Sequence, residues 1–166
     1  MRVGKQFCFG IALSLVAPIG VMRAQDGGPP LGSIPPSATL QTLDGKPVEL
    51  TQIAKGPAVV EFWATWCENC AELLPAMQRA HATYGNRVTF IAVAVAINQS
   101  VQRVKLHVEK HKVPGEQLFD AKGDATDKWN VPATSFVVVL DRAGKVVYTG
   151  VGGDQNIDAA VRKALN

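Results

Sequence analysis

The sequence predicts an α/β fold in which a mixed central sheet carries helices on both faces. Short apolar runs of strand length alternate with stretches whose apolar residues recur at helical spacing. Hairpin signals stand at both ends of that alternation and add antiparallel strands to a parallel core. The chain has 166 residues, 47% hydrophobic and 19% charged, which suits one domain with a real core.

The first 24 residues stand apart. Arg2 and Lys5 make a basic start, and residues 7–21 are apolar but interrupted by Pro18 and Gly20. This reads as a secretory signal, because a spanning helix needs about 20 apolar residues. Cleavage is expected after Ala24. Retention of the leader as an anchor is the alternative, and only then would the chain contact a membrane. Cys8 lies within the leader and lacks the small-residue motif of a lipoprotein. Without Arg2, Lys5 and Arg23 the 17 basic residues fall to 14, against 14 acidic ones. The remainder is formally neutral, and no cationic patch suggests a nucleic acid.

Residues 25–36 are rich in Gly and Pro and read as a flexible lead-in to a folded domain over 37–166. Residues 38–43 and 46–50 flank Asp44-Gly45, a hairpin signature. Gly56-Pro57 breaks the chain before 58–63, a mostly apolar run suited to a buried strand. From 68 to about 84, Leu73, Leu74, Met77, Ala80, His81 and Tyr84 recur at helical spacing, and Gly85-Asn86 ends the run. Pro75 sits inside it, deprives the Ala71 carbonyl of a donor, and should kink the helix. Residues 87–97 read as a second buried strand, 101–112 as a helix and 125–129 as a short one. Residues 135–140 and 145–149 form a closing hairpin, and 157–165 a last helix after Gly152-Gly153. There is no internal repeat.

The stretch EFWATWCENCAELLP holds the two cysteines that remain after the leader, Cys67 and Cys70. Such a pair can hold a metal, staple a loop or trade electrons. A staple across so short a loop adds little, since stabilisation grows with the length enclosed. A strand running into Cys67 and then a helix places that sulfur at a helix N-terminus, where unpaired N–H groups and the dipole favour the thiolate. Cys70 lies one turn deeper on the same face, less exposed and close enough to resolve a mixed disulfide formed at Cys67.

WATWCENC followed by Pro75, with VPATSFVVVLDRAGKVV downstream, resembles the thioredoxin-like fold. More narrowly it is similar to the exported TlpA/ResA-like thiol:disulfide oxidoreductases, which include cytochrome c maturation proteins. The likeness spans about residues 35–166, including the GKPVEL hairpin and an inserted segment near 99–118. It implies that Cys67 attacks and Cys70 resolves, with their redox-active disulfide standing in place of any cofactor. It also implies a helix-kinking Pro75 and a cis Val131–Pro132 bond facing the sulfurs. Val131, Pro132 and Ala133 would then bind an extended substrate segment, beside an exposed Trp66; Trp66 as ordinary core is the alternative. The implied partners are exported protein thiols and disulfides, such as apocytochrome c, with a membrane electron carrier for re-reduction. The implied location is the periplasm or cell envelope.

Glu61 lies six residues before Cys67, where thioredoxins carry a buried acid behind the resolving cysteine. Burial would raise its pKa and let it take the proton of the resolving thiol; a solvated edge position is the alternative. The next strand offers no lysine to complete a carboxylate–lysine relay. Glu68 and Asn69 replace the commoner residues between the cysteines. The Glu68 charge opposes the helix dipole at Cys67 and should tilt the pair toward reducing its partners.

Three rivals remain. Copper or zinc held by the thiolates would need further ligands, and only His81, His107 and His111 could assist. His107 and His111, spaced i, i+4, read as a solvated helical face, so no metal site is expected. A peroxiredoxin-like peroxidase finds partial support in Thr65 and Cys67, against the adjacent Cys70. A structural adaptor would need no reactive thiol.

Overall fold

The computed structural model describes residues 27–166; the expected leader, with Cys8, lies outside them. In chain order, β1 (Thr39–Thr42) and β2 (Pro47–Glu49) form a hairpin followed by the short α1 (Leu50–Ile53). Two successive βαβ units comprise β3 (Ala58–Trp63), α2 (Glu68–Tyr84), β4 (Thr89–Val95), α3 (Val101–His111) and β5 (Glu116–Asp120). The chain closes with α4 (Asp124–Lys128), β6 (Phe136–Leu140), β7 (Val146–Val151) and α5 (Ile157–Leu165). Among the described residues one sheet takes all seven strands, in the order β2-β1-β5-β4-β3-β6-β7. The pairs β3–β4 and β4–β5 are parallel and the rest antiparallel, which is the mixed sheet expected.

All six residues of β3 are buried, because the strand lies between β4 and β6 with helices on both faces. Val59 packs with Phe90, Val137 and Val139 against Leu73 and Met77 of α2 and Val161 of α5. Phe62 points the other way, its ring 5.7 Å from that of Trp129 just past α4. By the two-residue period of a strand, Glu61 and Trp63 share the Val59 face. Parallel crossovers are right-handed, so the second βαβ unit sets α3 beside α2 on that same face. Gln78 of α2 fixes the contact by donating to the carbonyls of His111 and Lys112.

Sequence patterning missed β5, whose first two residues are the polar Glu116 and Gln117. Its remaining Leu118, Phe119 and Asp120 are buried, and the strand joins the first hairpin to the core sheet. Gly115 makes that junction possible: its φ is +84°, and a Cβ there would lie 2.4 Å from the Phe90 carbonyl oxygen. Gly115→Ala is therefore expected to lower the unfolding free energy by about 1–3 kcal/mol, read from a urea titration.

The lead-in also departs from expectation. Gly28 N–H donates to the Asn130 carbonyl at 2.6 Å, and Gly32 N–H to that of Val146 at 2.7 Å. Val146 N–H returns a bond to Ser33, and Trp129 Nε1 donates to the Pro36 carbonyl at 3.0 Å. The described part of the segment is thus tied to the domain by partners about a hundred residues away in sequence, which local composition cannot reveal. Gly28 serves close approach, since a Cβ there would meet the Phe136 ring.

Candidate functional site

β3 delivers the chain to Cys67 at the N-cap of α2, in extended conformation at φ −85° and ψ 111°. Cys67 and Cys70 are joined as a disulfide, with Cα atoms 5.2 Å apart. The Cys67 sulfur accepts the Cys70 backbone N–H at 3.1 Å. Its position answers the expectation of a sulfur facing the unpaired amides of a helix start. The expected contrast in access is slight in this disulfide form, with Cys67 9% exposed and Cys70 7%. Pro75 sits on the exposed side of α2, and the helix continues through it to Tyr84.

Glu61 is buried, 4% exposed, and the solvated alternative falls. Its register partners are Ala92 on β4 and Val137 on β6, so no cation faces it from either neighbouring strand. Burial in these apolar surroundings pushes its pKa up from 4.5 to about 8. Glu61, Cys67 and Cys70 line one cavity of about 120 Å³, together with Trp63, His107 and His111. The two histidines, which the helical pattern placed on a solvated face, thus join the cysteines because α3 packs beside α2. The His107 ring lies 5.3 Å from Trp63 and stacks on His111 at 4.3 Å. Burial, then His111 and Lys110, lower its pKa from the ordinary 6.5. Among the described residues no group of three or more His, Cys, Asp or Glu could hold a metal ion.

Trp66 is 48% exposed, its Nε1 donating to the Ile97 carbonyl at 2.8 Å, so it is not core. Glu68 and Asn69 are exposed on the first turn of α2. The 130–135 loop enters β6 at the sheet end where β3 leaves, since Phe62 pairs with Phe136. Two expectations for this loop need correction. No described peptide bond is cis, so Val131–Pro132 is trans. The chain reverses instead through Asn130 and Ser135, at φ +47° and +60°, and the buried Ser135 hydroxyl donates to the Gly152 carbonyl. The backbone at Val131 is also not wholly open to a substrate strand, because its N–H donates to Thr126 at 2.9 Å. Pro132 and Ala133 are exposed, and Gly27 packs against the Pro132 ring. None of Val131, Pro132, Ala133 or Trp66 lines the cavity.

This arrangement matches known proteins across most of its length. A Redoxin domain is recognised over residues 30–165. The thioredoxin-like protein YneN of Bacillus subtilis is 32% identical over 73% of this chain and 71% of its own. The thiol-disulfide oxidoreductase ResA of the same organism is 26% identical, over 73% of this chain and 67% of its own. A secreted Mycobacterium tuberculosis disulfide oxidoreductase homologous to E. coli DsbE superposes with a TM-score of 0.64 at 26% identity, covering 77% of this chain and 95% of that one. With a sequence match over more than half its length and the cysteine pair seated at the start of α2, the chain belongs to the Redoxin family as a thioredoxin-like member similar to ResA.

Proposed function

We propose that the protein is a thiol:disulfide oxidoreductase that reduces disulfides in exported partner proteins, apocytochrome c among them. The observation that carries this reading is the Cys67–Cys70 pair at the N-terminus of α2, backed by the buried Glu61. In the reduced protein the helix start favours a thiolate at Cys67, which attacks the partner disulfide. Cys70 resolves the mixed disulfide, and Glu61 takes its proton. Trp66 and the Pro132–Ala133 surface receive the partner, and the Glu68 charge biases the pair toward donating electrons. The redox-active disulfide is the only cofactor the reaction needs. The chain works on the periplasmic side, a location supported by its leader-like start and by a secreted relative. Because that compartment drains electrons, a membrane carrier resupplies them. No helix of the described residues is long and apolar enough to cross a membrane.

The test is direct. Reduced protein, mixed with the disulfide form of apocytochrome c, is expected to transfer two electrons per molecule, and its reduction potential should lie on the reducing side of protein disulfide isomerase, below about −180 mV. A potential as high as that of DsbA, about −120 mV, would reverse the direction proposed. Peroxide consumption faster than disulfide reduction would favour the peroxidase reading.

A further inference from the structure

The reaction must move a proton out of a closed place. Glu61 has apolar neighbours on both flanking strands, and Cys70 is nearly as buried. The cavity they share is also lined by Trp63, by Ala64 and Thr65 of the turn into α2, by Val113, and by His107 and His111 of α3, the titratable side chains of its outer wall. There the titratable groups are graded in exposure: Glu61 is buried, His107 half-buried and His111 exposed. Trp63 anchors the series, with its ring against His107. Its indole N–H is buried and finds no acceptor among the described residues. A donor so placed is costly unless water or another acceptor serves it, and a space of this size admits several waters.

We infer that His107 and His111 form the proton outlet of the thiol–disulfide site, carrying to solvent the proton that Glu61 receives from Cys70. The inference rests on the exchange reading above. Cys67 Sγ⁻ attacks one partner sulfur, the partner disulfide breaks, and its first sulfur leaves as a thiolate. Cys70 gives its proton to Glu61 and attacks Cys67 Sγ, forming the Cys67–Cys70 disulfide and releasing the second partner thiolate. Two electrons pass to the partner, whose sulfurs take two protons from solvent, while the Cys70 proton leaves by way of His107 and His111.

The groups facing His107 suit that task. From β3 they are Glu61 and the Trp63 ring, from α2 Cys70 and apolar Ala71 and Leu74, and from α3 His111 and the charged Lys110. With its pKa held below 6.5, His107 is neutral at pH 7 and clears the proton that Glu61 mostly carries there, so that the carboxylate is free when Cys70 gives up its own. The i, i+4 spacing sets both imidazoles on one stripe, and the α2–α3 contact through Gln78 turns that stripe inward. The pair occupies the role that a lysine on the neighbouring strand would otherwise fill.

The experiment replaces both histidines by phenylalanine, which keeps the rings against Trp63 and removes the titration. Reduced wild-type, His107→Phe/His111→Phe and Glu61→Gln proteins are reoxidised by a small peptide disulfide in single-turnover mixing from pH 5.5 to 8.5. The double variant is expected to resolve the mixed disulfide about tenfold more slowly at pH 7, with added imidazole restoring the rate in proportion to its concentration. A wild-type rate and pH profile in the double variant, or a loss that imidazole does not repair, overturns the outlet. If Glu61→Gln is slow while the double variant is not, only this inference falls. If the reduced wild-type protein itself fails to react, the exchange reading falls instead.

Discussion

A Cys70→Ser variant is expected to accumulate covalent complexes with its partners, whereas Cys67→Ser should lose exchange down to the uncatalysed background. The two substitutions separate the roles because their structural effects are closely matched. Each removes the same disulfide, whose four-residue loop contributes about 2 kcal/mol by the chain-entropy relation. Serine at position 67 still caps α2, since its oxygen can accept the N–H that the Cys67 sulfur now accepts from Cys70. Serine at position 70 stands in the first turn of α2, where it is also tolerated. A difference in activity therefore reports chemistry and not folding. With Cys70 gone, the mixed disulfide at Cys67 has no nearby thiol to resolve it, and the adduct persists until a reductant is added. With Cys67 gone, the remaining thiol is inside the helix and lacks the N-terminal amides that favour ionisation. Mass spectrometry of adducts after non-reducing separation reads both results. Adducts on Cys67→Ser and none on Cys70→Ser would reverse the assignment of attacking and resolving sulfurs.

The cysteine pair was legible in the sequence because its chemistry depends on a local feature, a strand that turns directly into a helix at Cys67. The burial of Glu61 was legible for a different reason. The resemblance implied a buried acid six residues before Cys67, with a solvated edge position as the alternative, and β3 lies buried between β4 and β6. What escaped was whatever depends on the packing of elements distant in sequence. Helical spacing set His107 and His111 on one stripe read as a solvated face, whereas both line the cysteine cavity and His107 is half-buried. That followed from the side-by-side placement of α2 and α3, which a right-handed crossover and Gln78 decide. The glycines of the lead-in read as freedom, yet at Gly28 the missing side chain admits Phe136. The Val131–Pro132 geometry came from resemblance alone. Here Asn130 and Ser135 bend the loop, so a likeness in sequence did not carry over to the conformation of that bond.

Glu61→Gln is expected to slow exchange and to stabilise the fold above neutral pH, opposite effects with one cause. The Glu61 pKa rises from 4.5 to about 8 through burial alone. Below about pH 4.5 both the folded and unfolded chains hold this proton, and burying the carboxyl carries no ionisation penalty. Between pH 4.5 and 8 the unfolded chain releases the proton while the folded chain keeps it, so stability falls as pH rises. The total loss is about 5 kcal/mol, complete above pH 8. Glutamine escapes that loss, less about 1–3 kcal/mol if its amide N–H groups find no acceptor in the cavity. Urea titrations of the disulfide form, in which the cysteines do not titrate, should show the variant more stable at pH 8.5 and level with wild type, or less stable, at pH 5. Exchange, by contrast, should slow by about a hundredfold, and the pH–rate profile should lose its inflection near 8. An unchanged profile would remove Glu61 from the mechanism, and a stability difference independent of pH would mean that its carboxyl ionises as freely as in water. The protein would thus carry a buried carboxyl that weakens the fold at neutral pH, at a position that opens on the same cavity as Cys70.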